Sequence, residues 1–213
     1  MLKWRKTLYF TSNILIFAAK KMIRRHKTIQ QKKDECIALL RSTNRAKIEY
    51  LIRHITRMGY FEAPGSLKHH RFVGGLVSHS LETYHKAMEL RENKIHNGFS
   101  PEQMPEDSVI IAALMHDLCK ADILRYNKTL HEVKELRKTD HSARSVRQIA
   151  YSGFDMTSAE KDAILMHMGG KRRLPDKHKR EEHFRTHPLS DIIYWADKIS
   201  IEESKIRHHL HSR

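Results

Sequence analysis

Cysteine is nearly absent from this chain of 213 residues: Cys36 and Cys119 stand alone, and neither sits in a CxxC spacing. That argues against a disulfide framework and a thiolate zinc site, and it fits a reducing, cytoplasmic setting. Glycine and proline are also scarce, at 8 and 5 residues. With so few turn residues and no long β-branched alternation, the expected fold is mostly helical. The chain carries no internal repeat and no low-complexity stretch. Acidic residues are missing altogether from positions 1–33, which hold ten Lys or Arg. The formal charge of +15 therefore sits mainly in this arm, and from Asp34 onward 30 bases face 25 acids. A basic arm is suited to nucleic acid, anionic lipid or an acidic protein, or is simply a solvated tail.

A segment long enough to span a bilayer is lacking too. Leu8 to Ala19 is largely apolar and flanked by Lys3, Arg5, Lys6, Lys20 and Lys21. It falls short of the about 20 apolar residues that a spanning helix needs, and no clear small-residue cleavage site follows it. Three readings stay open: an interfacial basic helix, a helix packed on the domain, and a chain that starts at Met22.

What is present is helical periodicity. Residues 34–58 read as one helix, with Ile37, Leu40, Ile48, Leu51, Ile52, Ile55 and Met58 mostly at three- and four-residue steps. A second helix starts near Gly74–Gly75 and runs to about Asn93. A third, 106–119, is apolar all round from Val109 to Met115, the pattern of a buried helix. Residues 121–139 read as loop with a short helix at 130–137. Asp140 caps a helix through Ala150. Thr157 and Glu160 form a capping box opening a helix to Met168, closed by Gly169–Gly170. Residues 171–186 read as a charged loop, and Pro188 starts a last helix to about His208. The expectation is one all-α domain of six or seven helices over 34–213, preceded by the basic arm at 1–33.

Seventeen histidines are many for this length, and what matters is where some of them fall. His79 follows Gly-Gly-Leu-Val-Ser, His116 and Asp117 end an apolar run, His167 sits in Ile-Leu-Met-His-Met, and Asp197 in Tyr-Trp-Ala-Asp-Lys-Ile. Two carboxylates among buried imidazoles make sense if they share a cation, because an unpaired buried charge is costly. The alternative is a set of separate core polar groups, each satisfied on its own. Nitrogen and oxygen donors without thiolate suit Mn, Fe, Co, Ni or Zn, or Mg at oxygen-rich positions. Such an ion polarises a phosphoryl oxygen and lowers the pKa of bound water to about 7. His141 and His167 are available for a second divalent ion.

These residues, in their order, resemble the HD superfamily of metal-dependent phosphohydrolases, as found in bacterial HD domain proteins. His79, then His116–Asp117, then Asp197 is similar to the H…HD…D pattern of that superfamily. Ala63-Pro64-Gly65-Ser66, His69–His70, Gly74-Gly75-Leu76 and His79-Ser80-Leu81 resemble the segment around its first ligand. Met115 to Lys120 looks like the HDxxK form, His141 and His167 resemble the extra histidines of two-metal members, and Ala196-Asp197-Lys198 the closing motif. The likeness covers about 60–205.

The resemblance implies an HD-type helical domain in which His79, His116, Asp117 and Asp197 bind a first metal. Asp117 would bridge to a second ion completed by His141 and His167, and Lys120 would steady a substrate phosphate. Lys120 lies one turn after His116, which keeps it near the same face; otherwise it is a helix-end lysine favoured by the dipole. His70, or His69 beside it, would touch substrate. In 171–180 six bases, Lys171 and Arg172 first, would draw a polyanion to the site, or else form a solvated loop. The implied activity is hydrolysis of a phosphomonoester or phosphodiester, of a nucleotide in the first instance, by metal-activated water. The competing readings are a 3′–5′ exonuclease on RNA or DNA that uses the basic arm, and a non-catalytic nucleotide-binding signalling module.

Overall fold

Helices dominate the computed structural model, which describes residues 27–211, with side chains to 207. The expectations for Leu8 to Ala19, and most of the basic arm, lie outside the described residues. Nine α-helical segments occur among those described. Helix α1 (Ile29–Ser42) opens on Thr28, whose hydroxyl accepts from the Gln31 amide while the Gln31 side chain accepts from the Thr28 amide. This helix starts inside the stretch read as arm.

The single helix expected over 34–58 is two helices. Asn44 and Lys47 adopt positive φ, 50° and 64°, and divide α1 from α2 (Ile48–Arg57). The apolar spacing runs across the break because both helices face one core, so periodicity alone does not reveal it. Helix α3 (Gly75–His96) and α4 (Glu106–Met115) follow. Every residue of α4 from Ser108 to Met115 is buried, as its all-round apolar sequence requires. Around α4 pack α1, α3, α7 and α9.

The remainder runs α5 (Lys120–Ile123), β1 (Leu124–Asn127), β2 (Glu132–Glu135), α6 (His141–Tyr151), α7 (Ser158–Met166), α8 (Lys177–Thr186) and α9 (Pro188–His211). The short helix expected at 130–137 is a strand: β1 and β2 form an antiparallel hairpin with Leu124 opposite Glu135 and Asn127 opposite Glu132. Leu124-Arg-Tyr-Asn and Glu132-Val-Lys-Glu alternate in burial, but each is four residues long, too short to be conspicuous as a period of two. The charged loop expected over 171–186 contains α8, capped by the Asp176 side chain on the Lys179 amide. It buries no residue, so no apolar stripe announced it. The caps at Asp140 and Thr157, and the start at Pro188, are where the sequence places them. Gly169 and Gly170 both adopt positive φ after α7. No helix among the described residues is long and apolar enough to cross a membrane.

Candidate metal centre

Four helices bring the site together. His79 is in the second turn of α3, His116 and Asp117 follow the last residue of α4, His167 caps α7, and Asp197 lies in α9. His79, His116 and His167 expose essentially nothing, and the two aspartates about 3%. His79 Nε2 stands 3.2 Å from His116 Nε2, 3.1 Å from Asp197 Oδ1 and 3.6 Å from Asp117 Oδ2. His116 Nε2 is 3.2 Å from Asp117 Oδ2, and His167 Nε2 is 3.6 Å from Asp117 Oδ1. Ligand atoms of His79, His116 and Asp117 lie within 4.8 Å of one another.

The outer nitrogens decide what the inner ones can do. His116 Nδ1 donates to the Ala113 carbonyl at 2.8 Å and His167 Nδ1 to the Ile164 carbonyl at 2.6 Å. Each acceptor lies three residues back, so the helix end itself fixes the ring. Ser200 Oγ donates to the Asp197 carbonyl at 2.9 Å and faces His79 Nδ1 at 3.3 Å, which makes it an acceptor for that nitrogen. With all three Nδ1 atoms donating outward, three Nε2 lone pairs converge on two carboxylates. Acceptors facing acceptors in a buried space need a cation or shared protons between them. Two of these atoms, Asp117 Oδ1 and His167 Nε2, are buried without a hydrogen-bond partner among the described residues.

The electrostatics carry the same message. Burial by itself raises a carboxyl pKa, yet the neighbouring Lys120 and His116 hold Asp117 well below the usual range. Asp197 is likewise held down, against burial, by His79, His116 and His167. Burial depresses His116, whereas at His79 the two carboxylates outweigh burial and raise the imidazole above its ordinary value. The cluster thus keeps both carboxylates ionised and calls for positive charge at its centre. The donor set fits a divalent ion on these grounds.

The other expected site residues are placed differently. Lys120 Nζ reaches Asp117 Oδ2 at 2.5 Å, which puts it in contact with the cluster. His141, the first residue of α6, faces Cys119 Sγ at 3.7 Å and Glu135 Oε1 at 3.8 Å, at the rim. His70 is buried, and its Nε2 lies 3.3 Å from Glu82 Oε2. Lys171 and Arg172 are exposed, while their neighbour Arg173 reaches Asp140 at 3.7 Å and the Leu165 carbonyl at 3.3 Å.

The His69 ring packs edge-on against His79 with centroids 5.1 Å apart. A cleft of about 360 Å³ opens there, lined by Lys68, His69, His70, Arg71 and His131. Lys68, Arg71 and His131 were not singled out from the sequence. The hairpin turn delivers His131, and a four-residue strand gave no signal for that. Lys68 and Arg71 flank the His69–His70 pair, and that adjacency was the available clue.

Comparison with protein families now adds to the geometry. The HD domain model matches residues 76–202, most of the described helices and all of the cluster. The chain belongs to the HD domain family, whose members are mostly metal-dependent hydrolases. Comparison with curated proteins and with solved structures returns no match.

Proposed function

We propose that this chain is a metal-dependent phosphohydrolase that cleaves a phosphomonoester or phosphodiester, with a nucleotide as the favoured substrate class. The observation that carries this reading is the convergence of three Nε2 lone pairs and two ionised carboxylates in one buried space. His79, His116, Asp117 and Asp197 would hold the first divalent ion, with Mn, Fe, Co, Ni, Zn and Mg all compatible with the donors. Asp117, with one oxygen toward His116 and the other toward His167, is the candidate bridge to a second ion. His167 would bind that ion, and His141 would do so after moving off Glu135 and Cys119.

A bound divalent ion supplies Lewis acidity toward a phosphoryl oxygen and acidifies a water. The residues supply the rest. Ala113, Ile164 and Ser200 hold the three imidazoles in the tautomer that presents Nε2. Lys120 places a positive charge on Asp117 at the site's edge, where it would swing to a substrate phosphate. Lys68 and Arg71, at the cleft, and the exposed Lys171 and Arg172 would attract the anion.

A panel of nucleotides and phosphodiesters, assayed with Mn²⁺, Co²⁺, Ni²⁺, Zn²⁺ and Mg²⁺, tests the reading. Hydrolysis of at least one compound, lost in Asp117→Ala, is expected. Failure of the metal-loaded protein to cleave any of them, with the Asp117→Ala protein indistinguishable from it in metal content, would overturn the proposal. Processive release of 3′ nucleotides from oligonucleotides, dependent on the basic arm, would instead select the exonuclease reading.

A further inference from the structure

His69 and His70 are adjacent in sequence and both buried, at 8% and 2% exposure, yet the cluster described above uses neither. Their Nδ1 atoms face each other at 3.0 Å. Two imidazole nitrogens at that distance share one proton, so one ring donates and the other accepts. Which one donates is decided on the far side of His70. Its Nε2 is buried and lies 3.3 Å from Glu82 Oε2, an ion-pair contact without hydrogen-bond alignment, and the same oxygen is paired with Arg207. Burial alone would raise the Glu82 carboxyl, but His70 and Arg207 hold it down, at about 2. An ionised carboxylate only accepts, so the His70 proton belongs on Nε2 and its Nδ1 is the acceptor. His69 must then carry its proton on Nδ1. Its Nε2 is left with a lone pair and has no hydrogen-bond partner in the described residues, while the residue lines the cleft beside His79.

The backbone is shaped to hold this arrangement. His70 has φ of 50°, a region that a residue with a side chain rarely occupies. Its carbonyl accepts from the Gly65 amide at 2.9 Å, and a Cβ on Gly75 would stand 2.0 Å from that carbonyl oxygen.

We propose that Glu82, His70 and His69 form a relay that fixes His69 with an unprotonated Nε2 opening on the cleft. His69 is then a ligand-facing hydrogen-bond acceptor for a hydroxyl, amino or water hydrogen of the bound molecule, and Glu82 and His70 are its positioning residues. Only the nature of that molecule rests on the hydrolase reading; the relay itself does not.

Long-range ¹H–¹⁵N correlation spectra of the imidazoles in the full-length, metal-free protein test it, with His69→Gln and His70→Gln used to assign the signals. The expected wild-type result is His69 protonated on Nδ1 and bare on Nε2, with His70 in the opposite tautomer. Arg207 shares the same Glu82 oxygen and would keep an amide oxygen there in Glu82→Gln, so the informative variant is Glu82→Leu. It removes the acceptor that holds the His70 proton on Nε2, and the His69 proton is then expected to divide between Nδ1 and Nε2. Glu82→Asp keeps an acceptor and is expected to restore the wild-type pattern. A wild-type His69 protonated on Nε2 would overturn the proposal, and so would a folded Glu82→Leu protein with an unchanged His69. The wild-type spectrum decides by itself if Glu82→Leu does not fold. Since no activity is read, a relay found intact in a protein that hydrolyses nothing would sink the hydrolase reading and leave the relay standing.

Discussion

Individual side chains in this protein are worth most where they are buried and charged. Glu160 is fully buried, accepts from Arg45 at 2.6 Å and from the Ser108 hydroxyl at 2.8 Å, and closes the Thr157 capping box. Arg45 spreads its other bonds over Asp107 and the Asp155 carbonyl. Removing Glu160 leaves the buried Ser108 hydroxyl without its acceptor and takes one of several partners from Arg45, which costs about 1–3 kcal/mol. Glu160→Ala is expected to lose stability of that order in urea titration, more than is lost with the exposed, solvent-screened pair Lys47–Asp155. Glu82 gives a pH signature. Its carboxyl is held at about 2 in the folded chain, against a usual 4.5. It therefore contributes stability that is present above pH 4.5 and is lost as pH falls toward 2. In Glu82→Gln this part of the acid dependence should vanish, read as a shallower loss of stability between those pH values. The same carboxylate is invisible to a sequence reading, because nothing local links it to His70 twelve residues earlier or to Arg207.

Elements position the site by where they end. His116 and His167 both follow the last residue of a helix and both donate Nδ1 three residues back. Apolar runs that finish in a polar residue are readable in sequence, which is why these two, with His79 and Asp197, could be singled out. The division between α1 and α2 was not readable, since Asn44 and Lys47 turn the chain without glycine or proline. The hairpin β1–β2 and helix α8 were missed for a related reason: they bury little, and hydrophobic period is the signal that burial leaves behind. His141 could be picked by its place after the Asp140 cap, but its distance from Asp117 depends on how α6 packs. Among the described glycines, Gly75 has the least room for a side chain. A Cβ there would meet the His70 carbonyl oxygen at 2.0 Å and the Gly65 nitrogen at 2.8 Å, both backbone atoms that cannot swing aside. Gly75→Ala is expected to cost about 1–3 kcal/mol or more. It should also disturb the His69–His70 signals before it disturbs those of α7. Gly98→Ala, with open space around it, should cost only its positive-φ strain, about 1 kcal/mol.

As a whole, the molecule is a helical shell that encloses more lone pairs than protons. Helix α4 anchors it, with α1, α3, α7 and α9 packed around that helix, and the ends and inner faces of α3, α4, α7 and α9 meet at the cluster. The central claim is that this space is built for a divalent cation. Binding that is confined to the folded state stabilises it by about 2.7 kcal/mol when the free metal is a hundred times its Kd, so metal should raise the melting temperature by several degrees. The most direct measurement is isothermal titration of Mn²⁺ into chelator-stripped protein, with metal content after dialysis, for wild type, His116→Ala and Asp197→Asn. The account predicts saturable binding and retained metal in the wild type. It also predicts loss of both in the two variants, each of which should still fold by circular dichroism. Wild-type protein that retains no metal and shows no heat of binding, or variants that bind as the wild type does, would contradict it.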